Sequence, residues 1–147
     1  DGFLDDSRDR AFLHSHSYTG NPLACAAALA SLSIFEADDV IARNRVTAQA
    51  MASLAAPFAD LPHVADVRQT GMIVAFELTC GGNRQTPFDA AHRVGLHAYR
   101  AALERGVVLR PLGDILYWMP PYCIDVDQLQ LLAATTRDVI IEATACA

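Results

Sequence analysis

The dipeptide Asn21-Pro22, placed ahead of an alanine- and leucine-rich run that reaches Phe35, leaves this chain few choices. Asparagine caps a helix because its side-chain oxygen takes a backbone N–H that has no partner in the first turn. Proline just inside loses nothing there, its missing N–H being one of those orphans. The spacing predicts a helix over 22–35. Small and apolar on every side, such a helix is expected to be buried nearly all round, close to other backbone. The turn before it, Ser15 to Thr19, concentrates hydroxyl groups and an imidazole. Upstream, residues 1–13 read as a polar lead-in, with Ala11 to Leu13 as a short strand. That is too little sequence to cover the helix, so 1–37 reads as the end of one domain with its connecting helix, and 38–147 as a second domain.

From Asp38 or Asp39 a second helix is expected, acids suiting its positive end. Thr47, Ala48, Met51, Leu54, Ala55 and Phe58 keep a helical period, and Leu61-Pro62 closes it. The period then changes to two. Residues 64–69 and 72–78 flank Thr70-Gly71 as an antiparallel hairpin, with Met72, Val74, Phe76 and Leu78 on one side. Thr86-Pro87 repeats the cap-and-proline pattern and opens a helix to Glu104, ended by Gly106. Short strands at 107–110 and 115–119 follow, joined by residues 111–114 and stopped by Pro120-Pro121. Asp125 with Gln128 approximates a capping box for a last helix, whose Leu129, Leu132, Ala133, Thr136, Val139, Ile140 and Ala143 form one stripe. The order α-α-β-β-α-β-β-α predicts an α+β fold, an antiparallel sheet with helices on one face.

A net charge of −6 with scattered acids argues against a nucleic-acid or anionic-membrane surface. Cys25, Cys80, Cys123 and Cys146 lie far apart with no C-x-x-C. They read as reduced and structural, which suits the cytoplasm. Neither the histidines nor the cysteines have metal-ligand spacing. All eleven basic residues are arginines, so the chain has no lysine.

Arg110 is the foremost candidate for chemistry. It is expected to end a buried strand, where an unpaired guanidinium is costly, and Pro111 and Gly113 would then aim it into a cleft. Its fork suits bidentate capture of a carboxylate, or a structural salt bridge to Asp114 or Glu77. Tyr117, on the partner strand, lines the same cleft or serves as a half-buried aromatic. Ser15, His16 and Ser17 offer donors to a phosphate, or simply cap backbone.

The run HSHSYTGNPLACAAALA resembles the segment that follows the cofactor lysine in class III pyridoxal-phosphate aminotransferases, whose usual form is HG-x-TF-x-GNPLACAAALA. At the far end, GVVLRPLGDILYWMPPY resembles the signature of the biotin-pathway branch of that class. The resemblance covers the whole chain but only about the last third of such an enzyme. It implies the small C-terminal domain of a fold-type I aminotransferase plus its connecting helix. It also implies pyridoxal 5′-phosphate as cofactor, and a homodimer that shares the phosphate site across its subunits. The implied reaction moves an amino group from S-adenosylmethionine to 8-amino-7-oxononanoate, giving 7,8-diaminononanoate. By position, Ser17 falls where the family's threonine binds the phosphate, His16 contributes backbone beside it, and Ser15 stands where many members have glycine near the substrate. Arg110 matches the arginine that binds the substrate carboxylate, and Tyr117 a substrate-site tyrosine. No catalytic residue is assigned, because the lysine is expected upstream of Asp1; the chain alone is expected to be inactive. Two other readings stay open: a class III enzyme for another omega-amino acid, and a stand-alone module that binds a small carboxylate or regulates.

Overall fold

The computed structural model describes residues 6–12, 16–83 and 86–145, and divides into two compact units, Asp1–Asp39 and Val40–Ala147. In the first, Ser7 Oγ accepts the Asp9 N–H at 3.2 Å and starts a 3-10 turn, Arg8–Arg10. The Ala11 N–H closes that turn on the Arg8 carbonyl (3.1 Å), so Ala11 and Phe12 form no strand; Leu13 lies outside the described residues. Helix α1 is Pro22–Ala37, and Asn21 Oδ1 accepts from the Leu23 and Ala24 N–H groups at 3.0 and 3.1 Å. The cap is as expected, but the burial is not. No residue of α1 is buried, and Leu23 and Leu29 are 82% and 67% exposed. A helix apolar on every side needs cover on more than one side, and the described residues of its own unit leave all of α1 unburied.

The second unit opens with α2, Val40–Ala55. Pro57 cannot supply the next helical N–H, and the chain tightens there into a 3-10 turn, Ala56–Asp60, which still buries Phe58. Strands β1 (Val64–Thr70) and β2 (Ile73–Leu78) pair antiparallel with Thr70 opposite Ile73. The loop is therefore Gly71-Met72, one residue later than expected, and Gly71 takes a φ of 55°. An irregularity between Val64 and Asp66 bends β1.

Helix α3 is Val94–Glu104, shorter at its start than expected. Thr86 donates its hydroxyl to the Asn83 carbonyl (3.3 Å) instead of capping a helix. Asp89 caps a separate 3-10 turn, Ala90–His92, and Arg93 at φ 47° interrupts the chain before α3 begins. Gly106 ends α3 as expected: its N–H reaches the Leu103 carbonyl at 3.0 Å and the Val107 N–H reaches Ala102 at 2.9 Å. Strands β3 (Arg110–Leu112) and β4 (Ile115–Trp118) form a second hairpin. Helix α4, Val126–Ala145, begins with the reciprocal bonds of a capping box, Gln128 N–H to Asp125 Oδ1 (2.8 Å) and Asp125 N–H to Gln128 Oε1 (3.1 Å).

The four strands form one antiparallel sheet in the order β1-β2-β4-β3, so the fold is α+β. Alternation decides its faces. Val74, Phe76, Leu78, Leu116 and Trp118 are buried against Met51 and Ala55 of α2, Ala98 and Ala102 of α3, and Leu129, Ala133, Val139 and Ile140 of α4. Phe58, Phe76 and Trp118 meet with ring centroids 4.6 to 5.6 Å apart. Trp118 Nε1–H donates to Thr136 Oγ1 at 2.8 Å, and that hydroxyl donates to the Leu132 carbonyl at 2.6 Å, so the polar atoms of these two buried side chains are satisfied. On the other face Ala75, Glu77, Ile115 and Tyr117 are half-buried, while Ile73, Arg110 and Leu112 are exposed. Among the described residues no helix is long and apolar enough to cross a membrane.

Candidate functional site

Arg110 begins β3; it does not end a buried strand. The segment before it alternates, with Val107 and Leu109 buried and Val108 exposed, but Pro120-Pro121 terminate the neighbouring chain and leave 107–109 without a ladder partner. Arg110 is therefore exposed, on the open face, directly opposite Tyr117 in the register. Opposed residues of an antiparallel pair project on the same side with Cβ atoms roughly 5 Å apart, so the guanidinium stem and the phenol are neighbours.

Neither structural partner suggested for Arg110 holds it. Glu77 Oε2 accepts from Arg68 Nη1 at 2.8 Å, and Asp66 Oδ2 accepts from the same nitrogen at 2.8 Å. These carboxylates hold the Arg68 proton more firmly than usual, first through the hydrogen bond to Asp66. The Asp114 carboxylate turns the other way, its Oδ1 accepting the Gly95 N–H at 3.2 Å. Among the described residues Arg110 has no carboxylate partner, and the Tyr117 hydroxyl has no hydrogen-bond partner.

Both side chains line a groove of about 500 Å³ whose walls include Val108, Met119, Pro120 and Leu131. Val108, Met119 and Leu131 are exposed, so the trough is apolar and open, with a cation unpaired among the described residues in its lining. That combination suits a molecule with a carboxylate head and an aliphatic body. The sequence reading brought Arg110 and Tyr117 together correctly but missed the wall from α4. Leu131 falls between the stripe positions Leu129 and Leu132, and its exposure on the helix was the available signal.

The second candidate lies in the other unit and is described by itself. In the turn before α1 the His16 N–H donates to Thr19 Oγ1 (3.0 Å), the Thr19 N–H donates to the His16 carbonyl (3.0 Å), and the Tyr18 N–H donates to His16 Nδ1 (3.2 Å). His16 thus spends its backbone within the turn. Ser17 is exposed, and its hydroxyl and N–H have no partner among the described residues. Ser15 lies outside them. With Asn21 already serving Leu23 and Ala24, Ser17 is a donor available to an anion among the described residues of this turn. No cluster of metal-ligating groups occurs among the described residues.

The family model for aminotransferase class-III matches residues 6–140. The chain belongs to the class-III aminotransferases. It is 44% identical over 145 residues to the adenosylmethionine-8-amino-7-oxononanoate aminotransferase of Nitratidesulfovibrio vulgaris, covering 98% of this chain and 27% of that one. The protein of the same name from Geobacter sulfurreducens is 40% identical over 133 residues, covering 90% and 29%. Among solved structures, that aminotransferase from Methanocaldococcus jannaschii superposes with a TM-score of 0.85 at 31% identity, over 95% of this chain and 32% of its own. The chain spans about three-tenths of the length of these class-III aminotransferases. Pyridoxal 5′-phosphate is the cofactor expected of the family.

Proposed function

We propose that this chain provides the carboxylate-binding part of a transaminase that aminates 8-amino-7-oxononanoate with S-adenosylmethionine as donor, in biotin synthesis. The observation that carries the reading is Arg110, unpaired among the described residues and opposite Tyr117, in the lining of an apolar groove. In this reading Arg110 forks onto the substrate carboxylate, Tyr117 bounds the site beside it, and the apolar groove walls cover one side of the aliphatic chain. The names of the relatives support the same substrate.

The residues present fit the cofactor at its phosphate end. Ser17 has a hydroxyl and N–H without a partner among the described residues to offer the phosphate, and His16 shapes the turn that presents them. Pyridoxal 5′-phosphate, when bound, supplies the electron sink for the transfer. The amine that would hold it and carry the proton must come from other polypeptide, since these residues include no lysine. The phosphate site is read as shared between two subunits, with Ser17 reaching the partner's cofactor.

The test uses the 147-residue chain. Mixed with pyridoxal 5′-phosphate and both substrates, it is expected to give no diaminononanoate. Titration with 8-amino-7-oxononanoate at millimolar concentration is expected to shift the NMR signals of Arg110 and Tyr117, and Arg110→Met to abolish this. Turnover by the chain alone, or an unchanged titration of Arg110→Met, would refute the reading.

A further inference from the structure

Strand β3 is a weak element on which to hang a binding arginine. It is three residues long, lies at the sheet edge, and contains Pro111, which has no N–H for the ladder. Something beyond strand pairing must hold Arg110 opposite Tyr117. The turn at Gly113-Asp114 is gripped from three directions. The Asp114 carboxylate accepts the Gly95 N–H at 3.2 Å, its backbone carbonyl accepts the Leu78 N–H at 2.9 Å, and the Gly113 carbonyl lies so close to Gly95 that a Cβ there would collide with it.

The first of these grips is unusual in origin. Arg93, the residue before α3, has a φ of 47° and makes no side-chain cap. The N-terminus of α3 is capped instead by a side chain 19 positions away in sequence. A carboxylate suits that end of a helix both as a hydrogen-bond acceptor and against the helix dipole. Gly95 is buried, so its N–H would otherwise be left unsatisfied.

We propose that Asp114 is a positioning residue, which by capping α3 through Gly95 fixes the β3–β4 turn and so holds Arg110 in register with Tyr117. The proposal rests on the carboxylate-capture reading above. It assigns the aspartate that first suggested itself as a salt-bridge partner of Arg110 a different task, acting on the arginine through the backbone.

The experiment compares 8-amino-7-oxononanoate with its carboxamide as probes of the isotopically labelled full chain, read at Arg110 and Tyr117 by NMR. A merely structural residue would weaken both probes alike, whereas a positioning residue moves the preference for the acid. Asp114→Ala is expected to cut that preference about tenfold and to weaken the cross-strand contact signal between Arg110 and Tyr117. Asp114→Asn keeps an oxygen acceptor for Gly95 and is expected to stay within about twofold of the unaltered chain. Should Asp114→Ala not fold, Asp114→Ser, too short to reach Gly95, carries the same expectation. An unchanged preference in a folded Asp114→Ala or Asp114→Ser chain, with Arg110→Met still abolishing it, overturns this inference alone. A preference that survives Arg110→Met overturns the carboxylate reading and this inference with it.

Discussion

Helices α1 and α4 are both well capped and of similar length, 16 and 20 residues, yet they stand on different physics. In α4 one stripe, including Leu129, Thr136, Val139 and Ile140, is buried in a shared core, and a capping box fixes where the helix begins. In α1 the cap is equally good, but no residue is buried and large apolar side chains such as Leu29 face outward. A helix with a packed stripe draws its stability from the rest of its unit. One without it must rely on propensity and its cap, and isolated helices of that length are marginal in water.

The largest effect should come from the core that α4 shares. Phe76→Ala removes a fully buried ring against Phe58 and Trp118 and is expected to cost about 3–5 kcal/mol in urea unfolding followed by Trp118 fluorescence. Leu29→Ala in α1 should shift the same transition by less than about 0.5 kcal/mol, and a comparable loss would erase the contrast. Capping sharpens it at a smaller scale. Asp125→Ala is expected to lower the stability of the second unit by about 1 kcal/mol. Asn21→Ala should reduce far-UV helical signal while leaving the tryptophan midpoint where it was. Amide exchange offers a third comparison: α1 protons should exchange through local opening, well ahead of those around Val139 and Ile140. Smallest of all is the surface pair Arg105–Glu142, at 2.6 Å with side chains 39% and 55% exposed. Glu142→Gln should change stability by no more than about 0.5 kcal/mol, and the difference should vanish in molar salt.

The same contrast explains what could be read from the residues. Element order, the core face of β2, and the ends set by Asn21, Gly106 and Asp125 all follow from local patterns of period, cap and turn. Tyr117 was legible as lying on the strand beside Arg110, but a loop over 111–114 would have set Arg110 opposite Ile115, whereas the turn at Gly113-Asp114 sets it opposite Tyr117. Misreadings arose where a nonlocal contact or a second local rule won. Thr86-Pro87 looks like a helix start, but Asp89 and the left-handed Arg93 take over that task. Residues 107–109 look like strand, but prolines remove their partner. The burial expected for α1 is not met among the described residues, because composition marks a helix as apolar without saying what packs on it. The role of Asp114 was illegible because it joins residues 19 positions apart through a backbone N–H, and periodicity carries no trace of such a bond.

The two rims of the sheet are not equally open to growth. At one side β1 is bent by the irregularity between Val64 and Asp66, and at the other β3 is brief and interrupted by Pro111. An incoming strand would find little to zip onto at β3, and at β1 only the regular stretch 66–70. The β3 side of the sheet is therefore ill-suited to lateral recruitment, which directs association at the Arg110 edge through side chains and away from shared backbone ladders.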